Sequence, residues 1–316
     1  MQGYCGAPFE SLSIGIDGAT FLCSCEGWMT KSAGNILDYK SFKEFYSSPT
    51  VLEIQQTILD KTYSYCNLNS CGFNGNESSR PEPINSPDKI ILTYDRSCQL
   101  QCPSCRNELI NTVTSKAYQV NKHVEKLLYN IDKDICVNVT GSGDPFASKL
   151  FRDLIYKWSE NPLSSYVKLE LQTNGLMLKK CWPNINPSIV DIIRISFDAA
   201  TKETYSKTRF PGNFDTLLEN VSYIADQRKK YNFTLMADFV IQTDNYLEMA
   251  DYIKICTDFG FDQISFTVIQ PWAMPQQVFK EKAVWQSDHI DYEKFITNLR
   301  NIDYNNYGLG WLVDGH

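Results

Sequence analysis

The chain has 316 residues, with 30 Lys and Arg against 37 Asp and Glu, so its formal net charge is −7. Hydrophobic residues make up 43% of the sequence, which excludes a mainly disordered chain and suits one large domain or two smaller ones. No apolar run approaches the roughly 18–20 residues of a membrane span, and no secretory signal follows Met1. The acidic balance also argues against nucleic acid as a partner.

Eleven cysteines stand beside only three histidines. An odd cysteine count without an export signal does not suit a disulfide framework, so we expect a cytoplasmic protein. In a reducing compartment, closely spaced cysteines are more often metal ligands than crosslinks. The positions of the cysteines are therefore the main indication of function.

Strand and helix patterns alternate regularly along most of the chain. The predicted strands are 90–94, 135–139, 167–171, 192–197, 233–241 and 263–269. The predicted helices are 108–129, 146–159, 214–227, 246–259 and 291–300, with one more starting near Thr201. This alternation is typical of βαβ units with a parallel sheet, and six strands favour a partial (β/α)6 barrel or an open doubly wound sheet.

A segment rich in Gly, Asn, Ser and Pro precedes the first of these strands and is interpreted as a linker. The predicted domains are a small N-terminal module at 1–72, the linker at 73–88, and the partial barrel with a C-terminal helical extension at 89–316. In both architectures considered, active sites lie at the C-terminal ends of the strands.

Three cysteines, Cys98, Cys102 and Cys105, follow the first predicted strand at x3 and x2 spacing. Three thiolates in one loop can surround a small metal cluster and leave one site of a four-iron cluster open. An open metal site can bind a substrate or cofactor. The alternative from spacing alone is a zinc site with a fourth ligand from elsewhere in the chain.

The CxxxCxxC loop after the first strand resembles that of the radical S-adenosylmethionine (SAM) superfamily. This resemblance implies a four-iron, four-sulfur (4Fe-4S) cluster on Cys98, Cys102 and Cys105, with SAM chelated at the fourth iron. It also implies that one-electron reduction cleaves SAM to a 5′-deoxyadenosyl radical, which abstracts hydrogen from a substrate.

The segment after the second strand, Gly141-Ser142-Gly143-Asp144, resembles the Gly-Gly-Glu motif of the same superfamily. Glycines there let the backbone approach a ligand closely. The resemblance implies that the acid meets the SAM ammonium. Asp144 is one methylene shorter than the usual Glu, and Ser142 replaces a Gly.

Five further residues are predicted SAM contacts from the resemblance. Ser196 and Arg209 lie in a stretch similar to the superfamily's SxDG…ATxExYxxxR motif, in which the Ser and the Arg contact SAM. Gln172 precedes the Thr-Asn-Gly that ends the third strand, and Ile269 ends the strand whose backbone lies near adenine. At Ser104, where an aromatic residue is frequent, only backbone contacts are expected.

The N-terminal segment resembles a SPASM or Twitch auxiliary-cluster domain, placed here before the barrel rather than after it. The resemblance implies one auxiliary 4Fe-4S cluster, with Cys25 as an alternative to Cys23. The implied ligands are Cys5, Cys23, Cys66 and Cys71. Hairpin chemistry at Asp17-Gly18 would bring the first two together. A zinc knuckle is the alternative to this cluster.

The leading hypothesis is a radical SAM enzyme that acts on a peptide, protein or sugar-like small molecule, with the auxiliary cluster aiding oxidation or crosslinking. A flavodoxin or ferredoxin is the expected reductant. A radical SAM epimerase and a non-enzymatic zinc or iron–sulfur protein for binding or electron transfer are the alternatives. No general acid or base is assigned, because the sequence does not fix which way Glu170, Asp198 and Asp238 point.

Overall fold

The structure is a computed structural model, and the chain divides into two compact units. The described residues are 3–24, 26–68, 71, 79–106, 108–140, 142–272, 274–302 and 308–309. The first unit comprises 1–97, 111–171 and 189–191, and the second comprises 98–110, 172–188 and 192–316. Within the described residues, no helix is long and apolar enough to cross a membrane.

The first unit is built on a mixed sheet. Its strands are β1 (Ser11–Ile14), β2 (Ala19–Phe21), β3 (Gly34–Asn35), β4 (Lys89–Leu92), β5 (Ile135–Val139) and most of β6 (Val167–Thr173). They stand in the order β3-β2-β1-β4-β5-β6. Strand β2 pairs antiparallel with β1 and β3, whereas β1, β4, β5 and β6 are mutually parallel.

Five α-helices are described in the first unit. They are α1 (Ala7–Glu10), α2 (Phe42–Tyr46), α3 (Pro49–Leu59), α4 (Ser115–Leu128) and α5 (Lys149–Glu160). The two longest, α4 and α5, each begin after a residue whose side-chain hydroxyl caps the helix. Thr114 Oγ1 accepts from the Ala117 N–H at 3.1 Å, and Ser148 Oγ accepts from the Phe151 N–H at 3.0 Å. These caps explain why α4 and α5 begin later than the predicted 108 and 146.

The N-terminal segment belongs to this sheet. Strand β1 pairs in parallel with β4, from Ser11 opposite Lys89 to Ile14 opposite Leu92. This differs from the predicted division into a module at 1–72, a linker at 73–88 and a barrel from 89. The physical reason is that β1 satisfies backbone groups along one side of β4 that would otherwise be unpaired. Residues 73–78 of the predicted linker lie outside the described residues.

The second unit holds a parallel sheet. Its strands are most of β7 (Val190–Ser196), β8 (Thr234–Ile241), β9 (Gln263–Val268) and β10 (Gly308–Leu309), in that order. Neighbouring strands are parallel throughout. The helices are α6 (Leu178–Cys181), α7 (Lys202–Thr208), α8 (Phe214–Arg228), α9 (Met249–Asp258), α10 (Gln276–Lys282) and α11 (Tyr292–Arg300).

Aromatic side chains form the core of the second unit. The rings of Phe197 and Tyr252 lie 4.4 Å apart, and those of Phe239 and Phe266 lie 5.3 Å apart. All four residues are buried. Every second residue of β8 and β9 is buried against this aromatic core. The residues between them point to the opposite face of the sheet, where polar groups can stand. The predicted α/β fold with parallel strands is confirmed.

Candidate functional site

The loop 98–105 carries the three predicted cluster ligands within the second unit. Cys98 and Cys102 are buried and Cys105 is half-buried. All three pack into one small hydrophobic cluster, together with Leu100 and Leu176. The loop therefore gathers three thiols in a site that is largely shielded from water.

Backbone hydrogen bonds hold this loop at its start and in its middle. The Cys98 N–H donates to Ile110 O at 2.7 Å, and the Gln101 N–H donates to Phe210 O at 2.7 Å. The carbonyl of Cys102 accepts two N–H groups from the end of the loop, at 2.9 and 3.0 Å. The positions of the thiols are thus fixed by the chain itself.

Two of the sulfur atoms accept hydrogen bonds from side chains. Asn174 Nδ2 donates to Cys98 Sγ at 3.7 Å, and Gln99 Nε2 donates to Asn174 Oδ1 at 2.9 Å, which orients the amide. Arg106 Nη2 donates to Cys105 Sγ at 3.6 Å. Sequence reasoning assigned no role to Asn174 or Arg106. The available signals were the Asn of Thr-Asn-Gly and the Arg directly after the third cysteine.

Arg209, a predicted SAM contact, forms a buried ion pair in the second unit. Its Nη2 lies 2.6 Å from Asp198 Oδ2. Burial lowers the pKa of Arg209, but the groups around it, Asp198 first, raise it by more. The buried Nε–H of Arg209 has no acceptor among the described residues. Buried donors are normally satisfied, so this orphaned N–H fits a bound ligand.

Asp198 is held by its surroundings on several sides. Its Oδ1 accepts from the Val240 N–H at 2.8 Å, and its carbonyl oxygen accepts from Asn245 Nδ2 at 3.0 Å. Its backbone is left-handed, with φ at 49°. These bonds fix the carboxylate that positions Arg209, and they account for an acid at this point of the motif.

Ser196, the other residue of that motif, lies beside a second charged pair. Ser196 Oγ donates to Asp238 Oδ2 at 3.4 Å, and Arg194 Nη1 lies 2.7 Å from Asp238 Oδ1. Burial raises the pKa of Asp238, and Arg194 opposes that shift. Because Ser196 and Asp238 are register partners on β7 and β8, the three polar side chains share one face of the sheet.

The predicted glycine motif forms a tight turn after β5 in the first unit. A Cβ on Gly143 would lie 2.7 Å from Ser97 O, so glycine is required there. Thr140 Oγ1 accepts from the N–H groups of Ser142 and Gly143 at 3.2 and 2.9 Å. Gly141, the first residue of the motif, lies outside the described residues.

Asp144 forms local hydrogen bonds after the glycine turn. It is fully buried, and its Oδ1 accepts from the N–H groups of Phe146 and Ala147, both at 3.0 Å. The short side chain turns back onto its own backbone. The predicted contact between Asp144 and the SAM ammonium stays a prediction. Asp95, which sequence reasoning missed, accepts from Ser148 Oγ, the hydroxyl that caps α5.

The remaining predicted SAM contacts lie in the second unit. Ser104 and Gln172 are half-buried, and their contacts with SAM stay predictions. Ile269 is buried, and its N–H donates to Ile241 O at 3.0 Å. Its carbonyl oxygen accepts from Trp285 Nε1 at 3.3 Å. The backbone of Ile269 is therefore already paired within the unit and offers adenine no N–H.

The N-terminal cysteines lie in the first unit. Cys5 and Cys66 pack against one hydrophobic cluster, formed by residues of α1, α3 and the segment after α3. Burial raises the pKa of Cys66 to about 11, and the nearby Cys71 adds to the shift. Cys23 follows β2 and is half-buried, while Cys25 lies outside the described residues. The structure thus brings three of the four predicted ligands to one region.

The chemistry of the loop 98–105 fits an iron–sulfur cluster. Among the described residues, no three Cys, His, Asp or Glu side chains converge tightly enough to hold a single metal ion. A four-iron cluster has a different requirement, because each iron takes its own thiolate. Burial raises the pKa of Cys102 to about 11, with Arg209 opposing the shift, so metal binding there must displace a proton.

The fold and the three-cysteine loop resemble those of the radical SAM class, and comparison with known proteins supports this resemblance. No protein-family model matches the chain. It is 24% identical over 215 residues to a probable GTP 3′,8-cyclase of Saccharolobus islandicus, covering 67% of this chain and 65% of that protein. It is 26% identical over 255 residues to the GTP 3′,8-cyclase of Rhizobium etli, covering 76% of this chain and 70% of that one.

The fold is also similar to that of a solved structure, Streptococcus suis SuiB bound to S-adenosylmethionine. The TM-score is 0.51 with 15% sequence identity, covering 83% of this chain and 55% of SuiB. This likeness confirms the predicted partial-barrel fold. The match to the Saccharolobus proteins spans 65% of their length.

Proposed function

We propose that the chain is a radical SAM enzyme whose catalytic 4Fe-4S cluster is held by Cys98, Cys102 and Cys105. The observation that carries the proposal is the loop itself, in which three buried or half-buried thiols share one hydrophobic cluster. When bound, the cluster and SAM supply a 5′-deoxyadenosyl radical that abstracts a hydrogen atom from the substrate.

The chain's own residues have separate tasks in this proposal. Leu100 and Leu176 keep water away from the thiols, because they pack against them. The unsatisfied Nε–H of Arg209 donates to an acceptor atom of bound SAM. Asp198 holds that guanidinium in place through the ion pair. Ser196 is a further SAM contact, oriented by Asp238.

The substrate class that we propose is a peptide, a protein or a sugar-like small molecule, which is oxidised or crosslinked. Epimerisation is the alternative reaction for the same class. A second candidate substrate is GTP, because the curated relatives are named GTP 3′,8-cyclases and match 67–76% of this chain. A flavodoxin or ferredoxin is the proposed electron donor.

We also propose an auxiliary 4Fe-4S cluster on Cys5, Cys23, Cys66 and Cys71. Two observations support it: Cys5 and Cys66 pack against one hydrophobic cluster, and Cys66 lies within electrostatic range of Cys71. Cys25 remains the alternative fourth ligand. The two clusters together predict about eight irons per chain.

The test is anaerobic reconstitution with iron, sulfide and reductant, followed by measurement of iron and of 5′-deoxyadenosine formed from SAM. Cys98→Ala is expected to lose about four irons and all SAM cleavage, whereas Cys66→Ala loses about four irons from the other cluster. Cys256→Ala, at a buried core cysteine, is the matched control and keeps both. Unchanged iron in Cys98→Ala, or no 5′-deoxyadenosine from the wild type, overturns the proposal.

A second assay separates the substrate candidates. Added GTP should raise 5′-deoxyadenosine formation and be consumed if the chain shares the reaction named for its relatives. If GTP has no effect on the rate and is recovered intact, the cyclase candidate is wrong and the peptide or sugar-like class stands.

A further inference from the structure

The three sulfur atoms of the loop 98–105 have different polar neighbours. Cys98 Sγ accepts from two neutral donors, the Leu100 N–H at 3.4 Å and the Asn174 amide at 3.7 Å. Cys105 Sγ accepts from the guanidinium of Arg106 at 3.6 Å. A donor with a full positive charge binds a sulfur more strongly than a neutral donor does. The chain therefore places a fixed positive charge against one of the proposed ligands.

The positive charge of Arg106 is unusual because it is buried: the residue is only 5% exposed. Burying a charge is costly unless an opposite charge lies close by. The sulfur of Cys105 lies 3.6 Å from the guanidinium and carries a negative charge when the cysteine binds a cluster as a thiolate. The guanidinium is thus matched electrostatically to this ligand in the cluster-bound chain.

The backbone fixes this arrangement. The Arg106 N–H donates to Cys102 O at 3.0 Å, next to the Cys105 N–H, which donates to the same oxygen at 2.9 Å. The backbone of Arg106 is therefore tied to the loop that would hold the cluster. Such neighbours of a ligating atom tune the properties of a metal centre without binding the metal.

We infer that Arg106 is a positioning residue that sets the reduction potential of the cluster, through its charge and its hydrogen bond to Cys105. The inference rests on the proposed function. One electron passes from the reductant to the cluster, and no bond forms or breaks in that step. The reduced cluster carries one more negative charge, so a nearby cation stabilises it more than the oxidised form.

The test is an anaerobic redox titration of the reconstituted chain, followed by electron paramagnetic resonance. The signal that changes on addition of SAM identifies the catalytic cluster. Arg106→Gln is expected to make reduction at least tenfold less favourable, which is about 59 mV for a one-electron couple. Arg106→Lys keeps the charge but loses the planar donor, so it should shift the potential less, in the same direction.

Arg228→Gln is the matched control, because Arg228 pairs with Asp262 outside the loop and its loss should leave the potential unchanged. A wild-type chain that binds no iron at Cys98, Cys102 and Cys105 would sink the proposed function. A full iron content with an unchanged potential in Arg106→Gln would overturn only the role of Arg106.

Two other outcomes also decide the matter. A folded Arg106→Gln chain with reduced iron would assign Arg106 to cluster assembly and overturn the inference. If Arg106→Gln does not fold, Arg106→Lys decides, and an unchanged potential in that variant overturns it.

Discussion

The substitution Asp198→Asn removes one charge from the buried ion pair with Arg209. The two side chains are 1% and 13% exposed. Two unit charges about 4 Å apart interact by about 4 kcal/mol at an effective dielectric constant of about 20. Removing one partner of a buried pair typically costs about 3–5 kcal/mol, since the other charge stays buried and uncompensated. We expect a loss of that size.

The amide of Asn isolates the effect of charge. Its oxygen can still accept from the Val240 N–H, which Asp198 Oδ1 accepts in the structure at 2.8 Å. Urea denaturation of the metal-free chain under reducing conditions measures the free energy of unfolding. The two single variants, Asp198→Asn and Arg209→Gln, and their combination form a double-mutant cycle.

The control is an ion pair on the surface of the same unit. Lys202 and Asp215 lie 2.8 Å apart, but their side chains are 71% and 59% exposed. Asp215→Asn should therefore change stability by less than about 1 kcal/mol. A coupling energy below about 1 kcal/mol between positions 198 and 209 would refute the reasoning, because the buried pair would then behave like the exposed one.

Three further predictions concern stability. Gly143→Ala places a Cβ 2.7 Å from a carbonyl oxygen and should cost about 1–3 kcal/mol in thermal unfolding, whereas Gly15→Ala, 3.6 Å from its nearest atom, should not. Burial raises the pKa of Asp262, but Arg228 and a backbone N–H lower it by more. The ionised carboxylate therefore stabilises the folded chain at neutral pH, and this stabilisation is lost as the pH falls below the ordinary value of 3.8. Asp262→Asn should then cost about 1 kcal/mol at neutral pH and progressively less as the pH falls below 3.8; a cost that does not change with pH would contradict this. Glu248 accepts four hydrogen bonds at the start of α7, so Glu248→Gln should cost about 1.5–3 kcal/mol and speed amide exchange in that helix.

Features that depend on local sequence could be predicted. Strand β5 (Ile135–Val139) has the predicted bounds, because its apolar run is both long enough and bounded by polar turns. The loop 98–105 could be found because its three thiols are fixed by spacing within one short segment. Helix starts were less certain, since they depend on capping hydroxyls such as those of Thr114 and Ser148.

Features that depend on distant contacts could not be predicted. The hydrogen bond between Asp95 and Ser148 joins residues 53 positions apart in the sequence, and no local pattern indicates it. The ion pair of Asp198 with Arg209 joins the two ends of a sequence motif. The number of residues between them does not say how far apart their side chains lie in the fold. The burial of Arg106 depends on the folded loop, because the sequence alone shows a charged residue that is usually exposed.

The parallel pairing of β1 with β4 has a consequence for how the chain can be cut and for when it can fold. A fragment that begins at Lys89 would expose one whole side of β4, a row of free N–H and C=O groups that other chains can join. Among the described residues, the outermost strand on that side is β3, which is only two residues long. During synthesis, β1 must also wait for residues 89–92 to emerge before its parallel ladder with β4 can form.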